Sequence, residues 1–211
     1  MTARWPADPS HIAQAAERLR AGAVIAFPTD TLYAVAARAA DPVAVARLYA
    51  VKQRPSGQPM IWLVLDQAQV EPFAVVTAAA ADLMARFWPG PLTLVLPARI
   101  PVDGPTIAVR APDHDVALAL LRALGEPIAS SSANPAGQSP PVDADQVIAG
   151  LGDQLDVVLD GGPCRIGQPS TILDLSGATP RILREGAIPA DALIFPSPSG
   201  GGQGGGPLIS R

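Results

Sequence analysis

Lysine is almost absent from this chain of 211 residues. Of its 15 basic side chains, Lys52 is the only one that is not arginine. Cysteine is equally scarce: Cys164 stands alone, which excludes an internal disulfide and a cysteine-based zinc site. The two histidines, His11 and His114, lie too far apart in sequence to make a metal motif by themselves. No run of 18 or more apolar residues occurs, and the first ten residues show no signal-peptide pattern, so the expectation is a cytoplasmic protein with no membrane span. A net charge of −4 and a pI near 5.0 argue against a broad electrostatic grip on nucleic acid, though local basic sites stay open. Common catalytic signatures are missing too. There is no G-x-x-x-x-G-K-S/T phosphate loop, no G-x-G-x-x-G following a strand and no G-x-S-x-G elbow. His114 has no evident nucleophile to serve, and Cys164, without a nearby histidine, reads as structural.

Proline and glycine, in contrast, number 24 and 19. So much proline excludes a coiled coil or an all-helical bundle, because it breaks helix interiors. Yet 48% of the residues are hydrophobic and mean hydropathy is +0.25, which excludes a disordered proline-rich chain. The length suits one domain, expected over residues 1–194. From Phe195 onward the segment is glycine-rich and low in complexity, and a flexible tail is expected over 195–211.

Within the domain, apolar spacing predicts helices from about Ser10 to Ala21, from Asp41-Pro42 through Tyr49, from Thr77 to Phe87, after a cap at Asp113, and from Asp143 to Leu151. Gly22 is the expected residue past the first helix. Buried strands are expected at 23–27, 60–65, 92–96, 106–110, 127–130, 155–159, 171–175 and 181–183. Strands and helices mixed in this order predict an α/β domain with a mixed sheet.

Four loops are chemically richer than connectors need to be. Pro28-Thr29-Asp30-Thr31-Leu32-Tyr33 follows a strand, where ligands of open α/β sheets bind; alone it reads more readily as a polar turn capped by Asp30. Lys52-Gln53-Arg54-Pro55 places an ammonium and a guanidinium two residues apart, suited to one polyanion or to a helix C-terminus. Arginine would serve a helix dipole equally well, so the solitary lysine favours a site. Ser130 to Gly137 offers small hydroxyls that permit close approach to phosphate, or an ordinary turn. Asp160 to Gly167, followed by Ser170-Thr171, suits an anion-lined wall or a plain hairpin.

Taken together, these segments make the chain resemble the YrdC/TsaC family of threonylcarbamoyl-AMP synthases over roughly Ala15 to Ile188. FPTDTLY resembles the family's P-T-D/E-T-x-Y-G-L, KQRPSGQPM its K-x-R-P-x-x-x-P-L/M, and WPGPLTLVL its W-P-G-P-L-T. TIAVRAP, SSSANPAG, DGGPCRIGQPSTILD and ILREGAI match the remaining motifs in order. Each is weak alone; seven in sequence are very specific.

The resemblance implies a YrdC-like twisted mixed β-sheet with surrounding helices and a large concave cavity. It implies a nucleotidyltransferase that joins L-threonine, bicarbonate or CO2 and ATP into L-threonylcarbamoyladenylate, releasing pyrophosphate. The product would feed N6-threonylcarbamoyladenosine formation at position 37 of tRNA, through protein partners that transfer the group, and tRNA itself is a candidate partner. Mg²⁺ is expected with ATP rather than on a protein motif. Carried over residue by residue, Lys52 and Arg54 are the expected catalytic cations. Thr31, Tyr33, Arg110 and Ser170 are expected at threonine. Lys52, Arg54, Gln58, Thr106, Ser130, Ser132, Asn134, Ser139 and Arg184 are expected at ATP.

The chain departs from the family pattern in four places. Tyr33-Ala34-Val35 replaces Y-G-L, and Pro135-Ala136-Gly137 loses one hydroxyl. Leu63 stands where many longer members carry a threonine-contacting histidine. The additional C-terminal domain of those members has no counterpart, which suggests the short, single-domain type. The alternatives are an RNA-binding protein of the same fold without synthase activity, a paralogue adenylating another carbamoyl compound, and a generic nucleotide hydrolase.

Overall fold

A computed structural model describes residues 2–54, 58–102 and 104–193. The tail expected over 195–211 lies outside the described residues, as do Pro55, Ser56 and Gly57 of the second loop. In chain order the elements begin with β1 (Ala3–Pro6), α1 (Pro9–Arg20), β2 (Ile25–Pro28), β3 (Tyr33–Arg38) and α2 (Pro42–Lys52). The middle of the chain forms β4 (Ile61–Leu63), α3 (Gln67–Val70), α4 (Ala78–Phe87), β5 (Leu92–Val102), β6 (Gly104–Arg110) and α5 (Asp115–Leu124). Then follow β7 (Ile128–Ser132), α6 (Ala144–Leu151), β8 (Val157–Asp160), β9 (Thr171–Asp174) and β10 (Arg181–Arg184).

All ten strands join one mixed sheet in the order β1-β8-β2-β3-β7-β4-β6-β5-β9-β10, as the α/β reading expected. Four pairs are parallel: β1 with β8, β2 with β8, β4 with β6, and β5 with β9. Alternation along each strand divides the core. Ile25 and Phe27 pack on one face with α1 and α5, while Val24 and Ala26 pack on the other with α2 and α6. Farther along that second face, α4 covers Leu92, Leu94, Leu96, Ile107 and Val109.

Register then explains where a cavity forms. Ser130 pairs with Ile61, Ile61 with Ala108, and Ala108 with Val95, so these side chains share the first face. The α1/α5 cluster ends near Ile61 and Leu63. Beyond it, Ala108, Val95 and Ile172 line a cavity instead of packing under a helix.

Helix caps mostly follow local chemistry. Asp41 accepts from the N–H groups of Val43 and Ala44, and Gly22 adopts the left-handed φ of +85° that ends α1. The first helix starts at Pro9 because Asp8, not a later residue, caps it through the His11 N–H. Helix α5 is capped by His114, whose Nδ1 accepts from the Val116 N–H; Asp113, the expected cap, instead pairs with Arg165 at 2.6 Å. Two strands escape the sequence reading. β1 is short and ends in proline, and it is held by β8 more than 150 residues away. β3 is alanine-rich and weak in β propensity, yet sits centrally between β2 and β7, where small side chains let helices approach on both faces.

Candidate active site

The cavity holds about 530 Å³ and lies beyond the C-terminal end of β2. Its polar wall comprises Thr29, Thr31, Ser130, Ser131, Ser132, Ser170 and Gln58, and its charged wall Arg54, Arg110 and Arg184. Among the described residues no aspartate or glutamate lines it. Leu32, Ile61, Leu63, Val95, Ile172 and Leu183 complete the surface with apolar contacts. A hollow with three guanidinium groups and no facing carboxylate favours a polyanion.

Arg110 forms the deepest corner. It ends β6 and is 5% exposed. Its Nε donates to the Gly90 carbonyl at 2.9 Å, one terminal nitrogen donates to Thr31 Oγ1 at 2.8 Å, and the other bonds Asp30 Oδ1. Burial pulls the guanidinium below its ordinary pKa, and the Asp30 charge works against that effect. Arginine keeps its proton in either environment. Gly90 is held beside this corner by its N–H, which donates to the Ala111 carbonyl at 2.8 Å. A Cβ at Gly90 would lie 2.4 Å from the Phe87 carbonyl oxygen, so only glycine fits. Thr29 Oγ1 bonds Thr31 Oγ1 at 3.0 Å and the Leu32 carbonyl at 2.7 Å, which fixes the loop.

A second corner joins β9 and β10. Arg184 donates through Nε and a terminal nitrogen to the Ser170 carbonyl, at 3.1 and 2.9 Å, and reaches Ser170 Oγ at 3.2 Å. Ser170 Oγ also bonds Thr93 Oγ1 at 2.8 Å. Burial, with Arg110 and Arg54 as like charges, lowers the Arg184 pKa. Thr171 Oγ1 accepts from the N–H groups of Gly186 and Ile188, both at 3.0 Å, and closes this segment against β9.

The lysine–arginine pair is split. Gln53 caps α2 in the left-handed region at φ +49°, so the chain reverses between the two cations. Arg54 faces the cavity, donating to the carbonyls of Gln58 and Pro59 at 3.1 Å each and to Ser131 Oγ at 3.2 Å. Lys52 is 3% exposed and is not on the cavity wall. Its Nζ donates to the Ser132 carbonyl at 2.5 Å, to the Asn134 carbonyl and to Asn134 Oδ1 at 3.3 Å. Burial, with Arg54 as a like charge, lowers this ammonium to about 8, while three oxygen acceptors hold its protonated form in place.

Of the residues singled out in sequence, the fold brings Thr31, Tyr33, Arg54, Gln58, Arg110, Ser130, Ser132, Ser170 and Arg184 to the cavity. Tyr33 lies there with its hydroxyl bound to the Gly162 carbonyl at 2.9 Å. Ser130 Oγ donates to the Ile61 carbonyl at 3.1 Å. Lys52 and Asn134 lie behind the wall, and Asn134 Nδ2 donates to the carbonyls of Pro135 and Gln138. Ser139 is exposed on the same loop and off the wall. Thr106 faces a second cavity of about 460 Å³, lined also by Tyr49, Trp62 and Phe73. The sequence reading did not assign Thr29, Asp30, Ser131 and Thr93 to the site. All four sit within the same motif segments, but only the fold shows that Thr29 and Ser131 reach the cavity wall while Asp30 and Thr93 act behind it, on Arg110 and Ser170. Among the described residues no group of three His, Cys, Asp or Glu side chains could hold a metal ion, and no helix is long and apolar enough to cross a membrane.

Known proteins resemble this chain in sequence and in fold. The Sua5/YciO/YrdC family model, described as "Telomere recombination", matches residues 17–186. The threonylcarbamoyl-AMP synthase of Bacillus subtilis (strain 168) is 43% identical over 189 residues, covering 86% of this chain and 54% of that protein. The crystal structure of Pyrococcus abyssi Sua5 complexed with L-threonine superimposes with a TM-score of 0.84 at 38% identity, over 92% of this chain and 59% of that one. Escherichia coli YciO gives a TM-score of 0.83 at 30% identity, over 92% of this chain and 100% of its own. The chain spans about half the length of the first two of these relatives. With the family model covering most of its length and the fold and motifs in agreement, the chain belongs to the Sua5/YciO/YrdC family.

Proposed function

We propose that this chain is a threonylcarbamoyl-AMP synthase, a nucleotidyltransferase that makes L-threonylcarbamoyladenylate and pyrophosphate from L-threonine, bicarbonate or CO2, and ATP. The carrying observation is the cavity with Arg54, Arg110 and Arg184 on its wall and no carboxylate among its described residues, in a fold shared with a relative solved with L-threonine.

In this reading Arg110, Thr31 and Ser170 take the amino acid, with the guanidinium of Arg110 on its carboxylate. Tyr33 supports that corner through its bond to Gly162. Arg54, Arg184, Gln58, Ser130 and Ser132 face the nucleotide. Lys52 and Asn134 belong to the nucleotide half through the loop that they hold. Thr106 and Ser139 stand off the wall and take no direct contact in this assignment.

The threonine amine adds to the carbon of CO2 and loses a proton, giving a carbamate; starting from bicarbonate, that proton leaves with hydroxide as water. A carbamate oxygen then attacks the α-phosphorus of ATP, the bond from that phosphorus to the bridging oxygen breaks, and pyrophosphate departs with the electron pair. The protein's share is positioning and stabilisation of phosphate charge by preorganised cations. Mg²⁺ would enter as part of the nucleotide substrate and would add positive charge at the phosphates. The adenylate is a reactive mixed anhydride, consumed by partner proteins that pass the threonylcarbamoyl group to position 37 of tRNA in the cytoplasm.

Purified protein given MgATP, bicarbonate and threonine should release pyrophosphate, and omission of threonine should abolish the release. Equal release with serine, or with no amino acid, overturns the substrate assignment.

A further inference from the structure

We infer that Lys52 is a positioning residue: its ammonium cross-links the end of α2 to the loop after β7 and thereby sets the serine face of the cavity, without touching phosphate. This rests on the nucleotide reading given above and changes what the one lysine does within it.

The geometry points away from the cavity. Nζ is enclosed by two main-chain carbonyls, of Ser132 and Asn134, and by the Asn134 side-chain oxygen. An ammonium has three N–H donors, and three acceptors saturate them. One more bond crosses the same joint, and others brace the loop internally. The Ala136 N–H donates to the Lys52 carbonyl at 3.1 Å, and Asn134 Nδ2 ties the loop to the carbonyls of Pro135 and Gln138 at 2.9 and 2.7 Å. Ser131 and Ser132, the last residues of β7 before this loop, are on the cavity wall. Arg54, one residue past the left-handed cap, supplies the charge that reaches the cavity itself.

The residue type follows from the shape of the cage. Its acceptors converge on one point, which suits a compact ammonium. A guanidinium spreads its donors over a planar fork and cannot direct all of them there. This accounts physically for one lysine in a chain that otherwise uses arginine.

Because Lys52 is the sole lysine, protein labelled with [15N]lysine carries a single side-chain Nζ signal. In free wild-type protein this signal should be protected from exchange with water, and ATP and adenosine should move it equally little. Lys52→Met should weaken ATP and AMP by the same factor, on the order of tenfold, leaving their affinity ratio unchanged. Lys52→Arg should not restore either. An Nζ signal that exchanges freely in the absence of nucleotide overturns the inference. So does a signal that shifts strongly with ATP but not adenosine, or a Met variant that loses ATP selectively while Arg restores it. If Lys52→Met does not fold, the signal in wild-type protein still decides. A wild type that binds no nucleotide overturns the proposed function and this inference together, whereas binding with a phosphate-dependent Nζ shift overturns this inference alone.

Discussion

Arg110 and Asp30 form an ion pair whose side chains are 6% and 0% exposed, yet the bond uses only one carboxylate oxygen. Oδ2 of Asp30 is buried without a hydrogen-bond partner among the described residues. Asp30 is itself off the cavity wall, so it acts on the site by holding the guanidinium of Arg110 between Thr31 and the Gly90 carbonyl.

Replacing Asp30 by Asn keeps the shape but leaves the Arg110 charge buried without its counter-ion. Removing one partner of such a pair costs about 3–5 kcal/mol. We expect Asp30→Asn to lower the melting temperature and to raise KM for threonine more than KM for ATP. Thermal denaturation with initial rates at varied threonine checks this, and an unchanged threonine KM would remove Asp30 from the amino-acid corner.

Gly186 lies against the Ser170 backbone. A Cβ there would stand 2.2 Å from the Pro169 carbonyl oxygen and 2.6 Å from the Ser170 carbonyl carbon. Gly186→Ala is expected to destabilise the fold by roughly 1–3 kcal/mol through overpacking, and to reduce turnover by displacing Ser170 and Arg184. Gly177, whose Cβ position is open, is the control, with Gly177→Ala expected within about 0.5 kcal/mol of wild type. Urea unfolding of both variants makes the comparison.

Burial pushes the Cys164 thiol up to about 11, against the lowering effect of the Thr29 main-chain hydrogen bond. The thiolate is the reactive form, so at pH 8 this residue should react with iodoacetamide at least tenfold more slowly than an unfolded thiol of pKa about 8.5. Mass spectrometry of native and urea-unfolded protein over a time course measures the ratio. Equal rates would contradict the half-buried placement.

Acid should loosen the β1–β8 end of the sheet. The Arg4 hydrogen bond, then the Gly162 N–H, lowers the Asp160 pKa. At Asp156 burial opposes the shift, but Arg47 and the Val24 N–H prevail and lower it as well. A carboxyl depressed in the folded state adds stability that is present above its unfolded pKa, near 3.9, and lost as pH falls through the folded value. Stability by urea unfolding should therefore decline below about pH 4, and less steeply in Asp156→Asn. A variant with the same acid slope as wild type would rule out Asp156 as a contributor.

Much of the fold was legible because local signals agreed: Asp41-Pro42 opened α2 and Gly22 closed α1 as their chemistry requires. The alanine-rich β3 was not, since its strand character comes from β2 and β7 on either side rather than from its own side chains. In the site, the motif segments marked the right loops but not the direction of each side chain. Thr93 resembles any strand threonine until β9 brings Ser170 to within 2.8 Å of it.

The chemistry that this protein concentrates is already visible along the chain: arginines, hydroxyls and one lysine gathered in a few short motif segments. Which of them meet is settled by folding. Lys52 and Arg54 are neighbours along the chain, but a left-handed Gln53 turns them apart, one into a cage of carbonyls from residues 132–134 and the other into the cavity. Arg110 and Asp30 are separated by 80 positions and are pressed together by the sheet. Spacing along a chain fixes the face of a helix or strand, whereas partners across the sheet depend on which distant strands are brought side by side, a matter of the whole chain's packing.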